Sequence, residues 1–304
     1  MMLSRLAPLI DTLPSHLRLR KVLTGPASRS RARRRYLDLG DCVVRLRGGG
    51  GEGLSLVLAA DPPVPLERYD DLIATLGNGY RTTVFEMPGF GASLARIGFR
   101  FSMASAVAAV ARLLEQLPGA PHVLVMPCVT GFVALALAAQ RPDLVRALVL
   151  PQMPDWAGAQ AWLEGRDPRR VLRRPLLGQL LLHALRRHRV GAWYATALGP
   201  GAERAPWVEA TLRHFDEGGA FPLASAFQDF LADSQGLLQP VALPTLLPWG
   251  DADPSHRRTD FARAALLAPQ ARLARFDGCG HFPELEDSHR FAAALRGFLH
   301  ETPP

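Results

Sequence analysis

The chain has 304 residues, 48% of them apolar, enough for one large buried core with room for an insertion. No stretch approaches the roughly 18 uninterrupted apolar residues of a bilayer span. The opening MMLSRLAPLIDTLPSHLRLRKVL is broken by Asp11, Pro14 and several arginines, where a secretory signal needs an apolar block, so the protein is expected in the cytoplasm. The net charge of +7 is unevenly placed: residues 1–35 hold nine basic groups against Asp11 alone, which leaves the remaining chain near neutrality.

This N-terminal arm, 1–35, reads most simply as a solvated basic tail or helix. The sharper reading is contact with an acidic partner, such as an acidic carrier protein, a membrane surface or nucleic acid. No nucleic-acid motif accompanies the charge, so no nucleic-acid partner is expected. From about Tyr36 the pattern becomes strand-like. YLDLGDCVVRL and LSLVLAA (54–60) flank a glycine run at Gly48–Gly51 and Gly53, which reads as a hairpin turn. YDDLIATL (69–76) has helical spacing, RTTVFEMPGFG (81–91) is a β-rich run ended by Pro-Gly, and SMASAVAAVARLLEQL (102–117) is an amphipathic helix. HVLVMP (122–127) is a short buried strand, VTGFVALALAAQRP (129–142) a helix and LVRALVL (144–150) another strand.

Between 151 and 240 the rhythm changes to helical periodicity rich in Trp, Arg and Leu, broken at Gly199-Pro200-Gly201 and Gly218-Gly219; this segment reads as a helical cap. PTLLPWG (244–250), with an awkward Pro248, and ARLARF (271–276) resume the strands, and HRFAAALRGFLH (289–300) closes with a helix. Short apolar strands alternating with helices imply a mostly parallel sheet covered on both faces, an α/β core over 36–150 and 241–304.

Ligands of such sheets bind beyond the carboxyl ends of the strands, so the residues just after each strand are the informative ones. Cys128 follows HVLVMP and immediately precedes a helix. A thiol on such a turn is presented above the sheet, with the Val129 N–H and the helix N-terminus placed to favour negative charge. Asp253 follows PTLLPWG, and His281 follows ARLARF. His281 can take the thiol proton while a carboxylate holds its tautomer, the logic of a nucleophile–histidine–acid triad. Of the three cysteines, Cys42 reads as a core residue. Cys279 reads as lining the site or packing beneath its loop, with a minor option of a redox link to Cys128. Their spacing fits no zinc module, and no metal or cofactor is called for. His183, His214 and His256 read as loop or polar-face residues. Asp155 is the rival orienting acid. Trp156, Trp162, Trp193 and Trp207 read as packing, with one or two walling a pocket.

VLVMPCVTGFVALALAAQRPDLVRALVL resembles the nucleophile elbow of α/β-hydrolases, EMPGFGAS the loop after their fourth strand, LLPWGDADP their acid loop and FDGCGHFPELED their histidine loop. The four occur in the family's order over about 36–150 and 241–300. The resemblance implies that fold, with a cysteine where serine is usual, and a triad of Cys128, His281 and Asp253. Two departures stand out. The elbow glycines of G-x-S-x-G are Met126 and Thr130 here. The His-Gly pair of the oxyanion loop aligns with Ala60-Asp61, followed by Pro62-Pro63, which have no N–H. A backbone N–H of Ala60 or Asp61, with that of Val129, is the expected oxyanion hole.

The expected activity is hydrolysis or acyl transfer on a hydrophobic small-molecule ester, lactone or thioester. The alternative is a hydrolase-like scaffold without covalent catalysis, binding a small molecule or running proton-transfer chemistry.

Overall fold

The computed structural model describes residues 2–24, 35–48, 50–232 and 235–302. Helix α1 (Met2–Thr24) precedes strands β1 (Arg35–Asp38), β2 (Cys42–Gly48) and β3 (Ser55–Ala60). Helix α2 (Asp70–Leu76), β4 (Arg81–Glu86), β5 (Leu94–Ala95), α3 (Met103–Gln116), β6 (His122–Val125), α4 (Thr130–Gln140) and β7 (Val145–Val149) follow. The cap comprises α5 (Trp156–Arg166), α6 (Leu177–Ala184), α7 (Arg186–Ala197), α8 (Ala205–His214) and α9 (Phe221–Ser225), with π-helical turns at Phe215–Gly219 and Ala226–Phe230. Strands β8 (Thr245–Gly250) and β9 (Ala271–Phe276) and helices α10 (Pro283–Glu286) and α11 (Ser288–Glu301) complete the core.

The described residues form one nine-stranded sheet in the order β1-β2-β4-β3-β6-β7-β8-β9, with β5 pairing β2. It is parallel from β4 to β9 and antiparallel at the β1, β2 and β5 end. Strand β3 shows why both faces need cover. Val57 and Ala59 face the cluster packed by α3 and α4, whereas Leu56 and Leu58 face the one packed by α2 and α11. Helix α4 is buried from Thr130 to Ala138, so its apolar residues show no amphipathic stripe. Ser102 caps α3 by accepting from the Ser105 N–H at 3.2 Å.

The hairpin expected across Gly48–Gly53 is not formed. Strands β2 and β3 do not pair, because β4 lies between them. The hairpin is instead β1–β2, turning at Leu39-Gly40-Asp41 with Gly40 at φ 91°. The glycines answer another need. A Cβ on Gly53 would lie 2.0 Å from the Gly79 carbonyl oxygen, so this crossing is a close backbone approach. Pro248 is tolerated because β8 pairs β7 only through Thr245 and Leu246. At the level of Pro248, Gln152 replaces the strand, donating its N–H to the Pro248 carbonyl at 2.8 Å.

The basic segment 1–35 divides. Helix α1 packs on the cap, and Arg18 pairs with Glu217 at 2.7 Å. Arg29, Arg31, Arg33 and Arg34 lie outside the described residues. No described helix is long and apolar enough to cross a membrane.

Candidate active site

Cys128 sits between β6 and α4 at φ +48°, a conformation that costs a non-glycine residue roughly 1–3 kcal/mol and persists only where neighbours enforce it. Those neighbours are backbone groups. Met126 donates to the Val149 carbonyl at 2.9 Å, Cys128 to Pro151 at 2.8 Å and Gly131 to Cys128 at 3.0 Å. The Thr130 N–H and hydroxyl both reach the Pro127 carbonyl. The missing elbow glycine is supplied one position later: a Cβ on Gly131 would stand 2.7 Å from the Met153 sulfur. The thiol is buried, with its sulfur within 4.8 Å of a ring nitrogen of His281.

The acid and histidine loops meet through two glycines. A Cβ on Gly250 would lie 1.9 Å from the Gly280 carbonyl, and one on Gly280 2.2 Å from the Ala197 carbonyl. This contact brings His281 Nδ1 to 2.7 Å from Asp253 Oδ2. The same Asp253 oxygen accepts from Gln152 Nε2 at 3.0 Å, and Oδ1 from the Ser255 N–H at 2.7 Å. Burial opposes the Asp253 charge, but the His281 charge and hydrogen bond, with His256, outweigh it and hold its pKa at about 2. Burial likewise opposes the charged His281 ring. The facing Cys128, Asp253 and Asp61 overcome this and push its pKa well up. The Cys128 thiol is pushed up by burial and then by Asp61, with His281 working the other way.

Asp155, the rival acid, caps α5 by accepting from Gly158 at 2.8 Å and pairs with Arg263 at 2.9 Å. Asp251 accepts from the Gly278 N–H at 2.9 Å, tying the acid loop to the histidine loop. Cys279 packs in the α2/α11-side cluster, and all three cysteines are free thiols.

The oxyanion loop departs from expectation. The Asp61 N–H faces Tyr69 Oη at 3.2 Å, and Ala60 lies in β3 opposite Glu86 of β4. Pro62 and Pro63 have no N–H, and the Val64 N–H bonds the Asp61 carbonyl at 2.7 Å. The loop instead presents the Asp61 carboxyl, 2% exposed, with Oδ2 3.4 Å from His281 Nε2 and Oδ1 without a hydrogen-bond partner. Burial is the main force raising the Asp61 pKa.

Sequence reasoning missed three neighbours. His256, expected on a loop or polar face, is buried and stacked on His281 at 5.2 Å. Burial and then the His281 charge lower its pKa to about 3, so it is neutral. Gln152 ties the acid loop to the end of β7 through its side chain. Glu284 is fully buried without a side-chain partner, and burial raises its pKa to about 8. Gln152 and His256 sit in no motif, and Glu284 falls within the histidine-loop segment without a role that the segment announces; folding brings all three to the site. Ligand-capable atoms of Cys128, His256 and His281 lie within 4.8 Å of one another, as do those of Glu67, Glu86 and His214. Protein partners already engage both sets: Asp253 holds His281, and Arg45 holds Glu67 and Glu86.

A cavity of about 90 Å³ opens on Cys128, Asp61 and His281, walled by Phe90, Phe101, Trp162, Trp193 and Phe227. A second, of about 200 Å³, shares Trp162, Trp193 and Phe227 and runs into the cap. Trp156 and Trp207 pack on Phe132 and Phe282.

A family profile described as alpha/beta hydrolase fold matches residues 48–288. The chain belongs to the alpha/beta hydrolase fold family. Its similarity to solved structures extends over nearly the whole chain at low identity. Cfl2 from Burkholderia cenocepacia aligns at 22% identity and TM-score 0.72, covering 87% of this chain and 95% of that one. Epoxide Hydrolase A from Mycobacterium thermoresistibile aligns at 17% and 0.72, covering 89% and 98%. A haloalkane dehalogenase loop variant from Bradyrhizobium elkanii aligns at 16% and 0.71, covering 88% and 96%. No curated protein matches the sequence significantly. At such identities the likeness fixes the alpha/beta hydrolase architecture and leaves the chemistry to the side chains.

Proposed function

We propose that this alpha/beta hydrolase is an acyl-transferring enzyme in which Cys128 forms a thioester with the acyl group of an apolar ester, lactone or thioester. The observation that carries this reading is the buried thiol on a positive-φ turn, within 4.8 Å of a ring nitrogen of the Asp253-oriented His281. The Cys128 sulfur attacks the carbonyl carbon as its proton passes to His281 Nε2. The carbonyl π pair moves onto oxygen. On collapse, the leaving alkoxide or thiolate takes the proton back from His281, and water or another nucleophile then releases the acyl group.

The oxyanion needs a second donor besides Val129. We assign that role to Asp61 as a neutral acid: burial favours its protonated form against the pull of the facing His281, and the residue lines the cavity. A protonated Asp61 also leaves His281 Nε2 free for the thiol proton, whereas a charged Asp61 would hold the ring as an imidazolium. The aromatic walls suit an apolar acyl chain or ring. An acidic carrier protein bearing that acyl group remains part of the proposal through the basic arm.

Intact-protein mass spectrometry after exposure to activated esters and thioesters tests the reading. An acyl adduct on Cys128 is expected. Full turnover after alkylation of Cys128 would rule it out. A second reading is favoured by the carboxyl that replaces the loop N–H: proton transfer by Asp61 or His281 without a covalent intermediate. A Cys128→Ala variant that keeps its activity would select that alternative.

A further inference from the structure

Helix α1 is amphipathic in the wrong sense for a docked helix. The side facing the protein carries Ala7, Asp11, Thr12 and Ser15, each under 7% exposed. The side facing out carries Leu6, Leu9, Leu13 and Leu17, at 40%, 46%, 51% and 73% exposed. Their spacing of three and four residues sets these leucines on one face. Polar contacts fix which face that is. The Ser225 hydroxyl donates to Asp11 Oδ2, Gln179 Nε2 approaches the same oxygen at 3.4 Å, and Thr12 Oγ1 donates to the Pro8 carbonyl at 2.7 Å. Helix α6, which supplies Gln179 inward, exposes Leu177 and Leu180 at 45% and 55%. Among the described residues ten large apolar side chains are exposed. Four are on α1 and three on or just after α6, so the apolar surface is concentrated here.

We propose that this face is an interfacial docking surface for an anionic lipid bilayer, with α1 lying in the membrane plane and its leucines inserted below the headgroups. Charge selects the occupant. The same N-terminal 35 residues carry nine basic groups against one acid, and Arg170 and Arg187 of the neighbouring cap, though paired with Glu164 and Asp216, keep side chains 69% and 75% exposed. A second copy would bring one basic arm against another. An acidic protein would answer the charge without requiring a stripe of leucines held outward by a polar inner face. An anionic bilayer answers both. The inference is independent of the chemistry at Cys128.

The test is co-sedimentation of the full chain with phosphatidylserine–phosphatidylcholine vesicles and with phosphatidylcholine alone. Binding to the anionic vesicles is expected, weakening with salt. Leu13→Asp and Leu17→Asp, at exposed positions, should each lower the partition coefficient about 10-fold or more while circular dichroism and the melting temperature stay unchanged. Absence of binding to anionic vesicles would overturn the proposal, as would binding indifferent to both substitutions. A concentration-dependent dimer, seen by light scattering and abolished by the same substitutions, would assign the face to a second copy instead.

Discussion

The two sides of the candidate site are built differently. On one side, the elbow, acid loop and histidine loop are locked by backbone: Cys128 to Pro151, Ala252 to Cys279 and His281 to Ala197, with Gly250 and Gly280 permitting contact. On the other, the loop after β3 has given its N–H groups to Tyr69 and to its own turn or replaced them with prolines, and it offers a buried carboxyl. The comparison separates what the fold requires from what the reaction requires. The locked side follows from sheet geometry, so its backbone holds even where Met126 and Thr130 replace the elbow glycines. The opposite side bears only on the charge developing in the substrate, so a donor there can change its chemical type.

The largest expected effect is on the locked side. Cys128→Ala should lower the acyl-transfer rate by about 10⁴–10⁶, read as single-turnover release from an activated ester. Asp253→Asn, which keeps the shape but loses the tautomer control, should cost up to about 10⁴ in kcat. The opposite side predicts a graded result. Asp61→Ala should cost about 10²–10³ in kcat, whereas Asp61→Asn, which retains an N–H donor, should recover most of it. Equal losses in the two variants would show that the carboxylate, not a donor, is needed there.

Smaller effects fall on stability. Asp11 and Glu284, raised by burial to about 7 and 8, stay protonated in the folded chain when the unfolded chain has ionised them. The folded state therefore holds more protons between about pH 4 and pH 8, and their contribution to stability falls as pH rises through that window. An Asp11→Asn, Glu284→Gln double variant should flatten this slope in urea melts taken across it. The smallest effect expected is from Arg263→Gln, which removes an exposed partner of Asp155 and should lower stability by no more than about 1 kcal/mol by urea denaturation.

The mostly parallel sheet and the places of Cys128, Asp253 and His281 along the chain could be read from the sequence because each is a local event, one residue type just beyond one strand. The oxyanion loop could be located but not understood. Ala60-Asp61 marked its place, yet the use of the Asp61 N–H depends on Tyr69, eight residues on and across a turn. His256 was misplaced for a similar reason: short local context gives a polar loop, and only the approach of the histidine loop buries it. The glycines at 48–53 read as a hairpin turn, whereas the structure uses Gly53 for a close backbone approach to Gly79, because glycine reports a special backbone need and not its source. In α1 the inner and outer faces reverse the usual pattern, so hydrophobic periodicity alone assigns them backwards.

The irregular turns of the cap bear on how the cavity is filled and emptied. The nucleophile is stitched to β7 and backed by a wholly buried helix, so the floor of the chamber cannot yield. The widened helical turns at Phe215–Gly219 and Ala226–Phe230 bracket α9, and Phe227 within the second of them forms part of the chamber wall. Such turns are rare, and they are found frequently at functional sites. The chamber therefore has a regular, backbone-tied floor and a wall built partly on irregular helix.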